Sequence, residues 1–215
     1  MVRTTPKTVT AFAVLFSVLM AGAAARFTLA YPEPALVTKA WEFKFTFDHP
    51  RAIAVKNLDG RFEWYWFVTY RVVNNTGQER LFIPDIAIAT DQGDILQAGQ
   101  KVSTAVFEAI KARVGNRLLE SPTDIVGQIL QGDDNAKDGV AIWPATTHNV
   151  DRVNLFVAGL SGETANVSVP DAKDPAKKVD VLVTKTLMIM YDFPGAPLKP
   201  QDQPVVFKGK EWIMR

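Results

Sequence analysis

Residues 62–73 read FEWYWFVTYRVV. Phe62, Trp64, Trp66, Val68, Tyr70 and Val72 alternate onto one face that carries no charge, while Glu63, Tyr65, Phe67, Thr69, Arg71 and Val73 form a mixed opposite face. Successive strand side chains point to opposite sides, so this segment is a long strand with one dry face and one half-apolar face. Such a strand belongs near the centre of a sheet. The uncharged row is continuous, so Trp64 and Trp66 are read as core.

The flanks repeat the pattern. Asp59-Gly60 is a hairpin signal, and Ala52 to Val55 before it reads as a second strand or as the continuation of the preceding one across a bulge. Before the His49-Pro50 break, Trp41, Phe43, Phe45 and Phe47 alternate with Glu42, Lys44, Thr46 and Asp48. Downstream, Asn74-Asn75-Thr76-Gly77 ends the long strand with residues that tolerate left-handed backbone. Leu81 to Thr90 is extended but contains Pro84, which predicts an edge position or a bulge. Asp91 to Asp94 is the next turn.

Between Lys101 and Gln131 the period changes. Val102, Ala105, Val106, Ala109, Ile110 and Val114 follow one helical face, which Gly115-Asn116 closes. Ser121, Pro122 and Asp124 read as a second helix start, with Ile125, Val126, Ile129 and Leu130 as its buried stripe. Strand alternation returns at Val153, Leu155 and Val157. After the polar segment 170–178, Val179, Val181, Val183, Leu187, Ile189, Tyr191 and Phe193 share a face broken only by Lys185. Residues 205–207 and 211–213 read as a short hairpin around Gly209. The expected architecture is mainly β: an antiparallel two-sheet sandwich over 31–215, with a short helical hairpin inserted at about 102–131.

The chain has 215 residues, 47% hydrophobic and 22% charged, as for a globular domain. Twenty-four basic residues against 23 acidic ones give +1 and no electrostatic case for nucleic acid. The absence of cysteine excludes disulfides, thiol nucleophiles and cysteine-ligated metals, and only His49 and His148 offer imidazole chemistry. Residues 1–30 have a basic start with Arg3 and Lys7, an uncharged apolar centre and small residues at Ala23, Ala25 and Ala30. That three-part pattern is an export signal, with an uncleaved membrane anchor over 8–30 as the alternative. Removing residues 1–25 takes two basic residues and no acid, leaving 22 against 23, or −1.

The segment YRVVNNTGQERLFIPDIAIATDQGD (70–94) resembles the signature region of immunoglobulin-like domains in secreted bacterial proteins. An extended stretch there ends in an Asn-Thr-Gly turn, and the next strand leads to an acidic turn. GVAIWPATTHNVDRVNLFVAGL (139–160) resembles the later part of such domains. The resemblance implies a sandwich fold and a binding or assembly role in the envelope or outside the cell. It carries over no catalytic residue, and the helical stretch 102–131 departs from it.

Local chemistry is sparse. Gly159-Leu160-Ser161-Gly162-Glu163 begins like a nucleophile elbow, but Glu163 replaces the final glycine and extended sequence follows, so it reads as a turn. The loop 132–139 holds Asp133, Asp134, Asn135 and Asp138, hard ligands of the kind calcium takes, in a spacing that fails the helix–loop–helix template. No metal or cofactor is therefore expected. Asp85, Asp91 and Asp94 sit at turns and nominate no hydrolase pair. Trp143, beside Pro144, reads as the exposed aromatic, and Asn74 and Asn166 head glycan-acceptor triplets that turn and strand chemistry also explain.

The reading is an exported, periplasmic or extracellular, non-enzymatic module that contacts a protein partner. A carbohydrate or other polymer-binding module is the alternative, and a carboxylate-based hydrolase a distant third. Mass spectrometry of the protein from its native host should find a chain starting near Arg26 or Tyr31. An intact Met1 would show that the segment is retained.

Overall fold

The computed structural model describes residues 32–35, 40–57, 59–145, 150–171, 173–174, 176–194 and 204–215; residues 1–30, read above as an export signal, and His148 lie outside them. In chain order the elements are β1 (Lys44–Phe47), β2 (Arg51–Lys56), β3 (Phe62–Val73), β4 (Arg80–Phe82), β5 (Asp85–Thr90), β6 (Ile95–Gln97) and α1 (Thr104–Val114). Then follow β7 (Leu119–Glu120), β8 (Gly127–Ile129), a 3-10 turn (Asp133–Asn135) and β9 (Lys137–Pro144). β10 (Arg152–Ala158), β11 (Thr164–Pro170), β12 (Lys178–Asp192) and β13 (Val206–Met214) complete the chain.

β3 is the axis of the first sheet. β1 and β2 lie end to end along one side of it, β9 pairs with the other, and β7 adds in parallel outside β9. Asn57 closes the β2–β3 hairpin: its N–H donates to Arg61 O at 2.8 Å, and its Oδ1 accepts the Arg61 N–H at 2.9 Å. The second sheet is built on β12, which pairs with β10, β11 and β13; β5 joins β10, and β6 joins β5. One core draws on both sheets: Phe43, Val68, Tyr70, Val72 and Trp143 meet Ile86, Leu155, Val157, Ile189 and Tyr191. A second core lies on the outer face of the first sheet, where Val106, Phe107 and Ile110 of α1 cover Tyr65, Phe67, Val140 and Ile142. The mixed face of β3 is thus buried too, under the helix.

α1 forms where the helical spacing predicts it. Gly115 ends it at φ 71°, with its N–H on Lys111 O at 3.0 Å, a left-handed cap that glycine adopts without penalty. The second helix does not form. Ser121 starts one turn, accepting the Asp124 N–H at 3.2 Å on its hydroxyl and the Ile125 N–H at 3.1 Å on its carbonyl. The chain then extends into β8, which pairs with β4. Ile125 and Ile129 are buried while Val126 and Leu130 are exposed, an alternation that a helical stripe would not give. A four-residue spacing is even, so Ile125 and Ile129 share a face in a strand as well as in a helix.

Three other expectations are corrected. Pro84 splits its segment into two strands of different sheets, and β5 lies inside the second sheet between β10 and β6. Residues 206–214 are one strand along β12, with a register shift opposite Met190 and Tyr191, and no hairpin around Gly209. The aromatic assignments invert at two ends: Trp143 is 2% exposed and donates its indole N–H to Leu96 O at 3.1 Å, whereas Phe62 is 69% exposed. Trp66 is half-buried edge-on against Phe193, with ring centres 5.2 Å apart. Trp64 is half-buried and belongs to neither core.

Urea unfolding should therefore rank the tryptophans. Trp143→Ala is expected to cost about 3–5 kcal/mol, the usual loss for a buried aromatic, and Trp64→Ala less than half of that. Equal costs would contradict the layer assignment.

Candidate functional site

The one charge inside the otherwise uncharged face of β12 is buried and ion-paired. Lys185 has a side chain 4% exposed, with its ammonium 3.1 Å from Glu42 Oε2, 3.4 Å from Glu163 Oε2 and 4.9 Å from the centre of the Trp212 ring. Glu163 also accepts the Ala35 N–H on Oε1 at 2.9 Å. One buried cation thus ties the segment before β1, the turn before β11, and β12 and β13 together. An ammonium held between two carboxylates anchors the elements that supply them.

The turn at 159–163 lies beside that anchor. Gly159 adopts φ 84°, and a Cβ there would stand 2.3 Å from Ile83 O. A Cβ on Gly162 would run into the Trp41 ring. Ser161 is buried, bridges to Glu42 by backbone pairing, and its hydroxyl accepts the Glu163 N–H at 3.1 Å. β11 follows with no helix, so this segment is the glycine turn the sequence indicates.

Two carboxylates of the acidic loop, Asp133 and Asp138, are engaged separately. Asp133 lies 3.9 Å from the Lys44 ammonium, while Asp138 lies 3.3 Å from Arg71 and accepts the Asn116 amide at 2.8 Å. Among the described residues no three acidic or histidine side chains converge as a metal site. His49 stands 3.5 Å from the Tyr191 hydroxyl and packs on Phe207. Asp85 accepts the Gln97 amide at 2.8 Å, and Asp91 accepts the Asp151 N–H. Asn74 is fully buried: its amide donates to Ile129 O at 2.7 Å and Gln78 O at 2.8 Å, which leaves no place for a glycan. Asn166 is exposed on β11.

A cavity of about 350 Å³ opens between the two sheets beside Pro122, lined by Tyr70, Asp85, Gln97, Gln100 and Ala141. Its size is at the low end for small-ligand sites. Tyr70 lies across Gly139, where a Cβ would come within 2.6 Å of the phenol oxygen. Burial, and then the nearby Glu120 carboxylate, hold the Tyr70 phenol well above its ordinary range. On the outer face, burial and then the hydrogen bond to Glu63 push Tyr65 up to about 12. Sequence reasoning placed Tyr70 on the dry face but could not see the space beside it.

The other feature is the hairpin of β11 and β12. Ala165 pairs with Val183, Val167 with Val181 and Val169 with Val179, so six small or β-branched apolar side chains share one face. Val181 is 43% exposed and Val179 40% exposed, because the first five residues of β12 extend beyond the layer that covers Val183 and Leu187. The sequence showed the valines on one face. It did not show that the face runs out of core.

No protein-family model matches this chain, and comparisons with curated proteins and with solved structures find no significant match.

Lys185→Met leaves Glu42 and Glu163 facing each other without a cation, and urea unfolding should show a loss of about 3–5 kcal/mol. Adding Glu42→Gln and Glu163→Gln should recover most of that loss. A near-neutral single variant would show that Lys185 does not anchor the fold.

Proposed function

We propose that this protein is an exported, non-enzymatic sandwich of immunoglobulin-like type that works by protein–protein contact or assembly, in the periplasm or outside the cell. The observation that carries this reading is the uncovered valine face of the β11–β12 hairpin. Contiguous exposed apolar surface marks interaction sites, and β-branched side chains suit contact with another extended chain. The edge of β11 strengthens the reading. Among the described residues β11 pairs only with β12, and its sequence TANVSVP carries no charge. Edges of solitary sheets are usually guarded by charges, bulges or prolines, and here only Pro170 at the end serves that purpose. A second apolar face, with Leu81, Ile83, Val126 and Leu130 exposed around the β4–β8 pair, adds to the contact surface near the segment that follows α1.

The ligand-module alternative draws its support from the cavity at Tyr70 and Gln97 rather than from a row of exposed tryptophans. The exposed hairpin face is the larger departure from ordinary surface design, and it favours the contact reading.

A photoreactive residue placed at Asn166 in the native host should give a discrete protein adduct, and one placed at Glu108 on the exposed side of α1 should not. Val181→Asp, on the half-exposed valine face, should abolish the Asn166 adduct while leaving the melting temperature within a few degrees. An adduct absent at Asn166, or indifferent to Val181→Asp, would overturn the reading.

A further inference from the structure

We infer that the chain seated on the open edge of β11 is β11 of a second copy of this protein, running antiparallel about a two-fold axis at Val167. This rests on the contact reading above and names its partner.

The direction of each backbone group on the edge follows from the ladder. Lys185 N–H donates to Glu163 O at 2.9 Å, while Thr184 N–H points the opposite way, to Arg215 O at 2.7 Å. At the far end Asp171 N–H donates to Lys177 O at 2.9 Å. Neighbouring residues of a strand alternate in the side to which they send N–H and C=O. Ala165, Val167 and Val169 therefore bond toward β12, and Thr164, Asn166, Ser168 and Pro170 turn their backbone groups outward. Pro170 has no N–H, so its place on the open edge leaves no donor stranded.

Val167 is the midpoint of β11, so antiparallel pairing about it uses the whole strand. Asn166 then faces Ser168 of the other copy, and the two exchange both backbone bonds. Thr164 faces Pro170, and its N–H meets the proline carbonyl. Val167 faces its own copy and Ala165 faces Val169, so the two valine faces become one strip across four strands. A one-residue slip would set valines against the polar face, which disfavours neighbouring registers of that kind. Self-pairing brings identical sequences together, and like charges directly opposite are destabilising. β11 has none to oppose, whereas the exposed strand β13 carries Lys208, Lys210 and Glu211. The uncharged edge fits a second copy of itself.

The chain has no cysteine, so single-cysteine variants report the register directly. Val167→Cys should form a disulfide-linked dimer of the purified mature protein in a glutathione buffer, because facing Cβ atoms lie about 4.5–5.5 Å apart. Val181→Cys, one strand further from the axis, should not. Sedimentation velocity over a concentration series should show reversible dimerisation of the unmodified chain. Asn166→Pro removes an outward N–H from each copy without touching the bonds to β12, and should weaken the dimer about tenfold or more at unchanged melting temperature. A chain that stays monomeric, with Val167→Cys linking no faster than Val181→Cys, would overturn the inference. If Asn166 adducts in the host then contained a different protein, the contact reading would stand with another partner. If the host adducts also failed, both would fall.

Discussion

The structure depends on β3 being covered on both faces. A strand in which Tyr65 and Phe67 alternate with Val68, Tyr70 and Val72 cannot face water on either side without exposing large apolar area. Two different layers meet that requirement. The second sheet closes over Val68, Tyr70 and Val72, and α1 closes over Tyr65 and Phe67. The helix is therefore the outer layer of the first sheet rather than an ornament between strands. Phe62 and Trp64 show where the arrangement ends: at the start of β3 neither layer extends far enough to cover them fully.

The second constraint is electrostatic. Lys185 occupies a position in β12 whose neighbours along the same face are Val183 and Leu187, both buried. An ion in such surroundings is tolerated only when it is paired and its hydrogens are used. Glu42 and Glu163 both pair with it, and the Trp212 ring lies against the same ammonium. The pairing ties the segment before β1 to β12, and the covered stretch of β12 ends two residues further toward the hairpin, at Val183. Beyond Val183 the apolar face turns from buried to half-exposed at Val181 and Val179.

Much of this was legible in the residues, because alternation is a local property. The bounds of β3, the alternation in β10, the glycine turn at 159–163 and the helix 104–114 follow from period and turn chemistry. What misled was ambiguity of period and of neighbourhood. Ile125 and Ile129 fit helix and strand alike, and the Ser121 cap describes one turn whether or not a helix follows it. Pro84 signals a break, but a break between two sheets looks locally like a break at an edge. Trp143 beside a proline resembles a loop aromatic; its burial comes from Leu96 and the second sheet, which lie far away in the chain.

The sequence by itself determined the mainly β class of structure, the faces of the long strands and the absence of thiol chemistry. Those depend on composition and on side chains within a few positions of one another. Only the tertiary structure decided which apolar faces are covered. Val179, Val181 and Val183 are alike in sequence, yet the last is core and the first two lie open, because burial depends on where the opposing layer stops. Near that boundary Glu42 meets Lys185 across more than a hundred residues of chain, a contact no local pattern encodes.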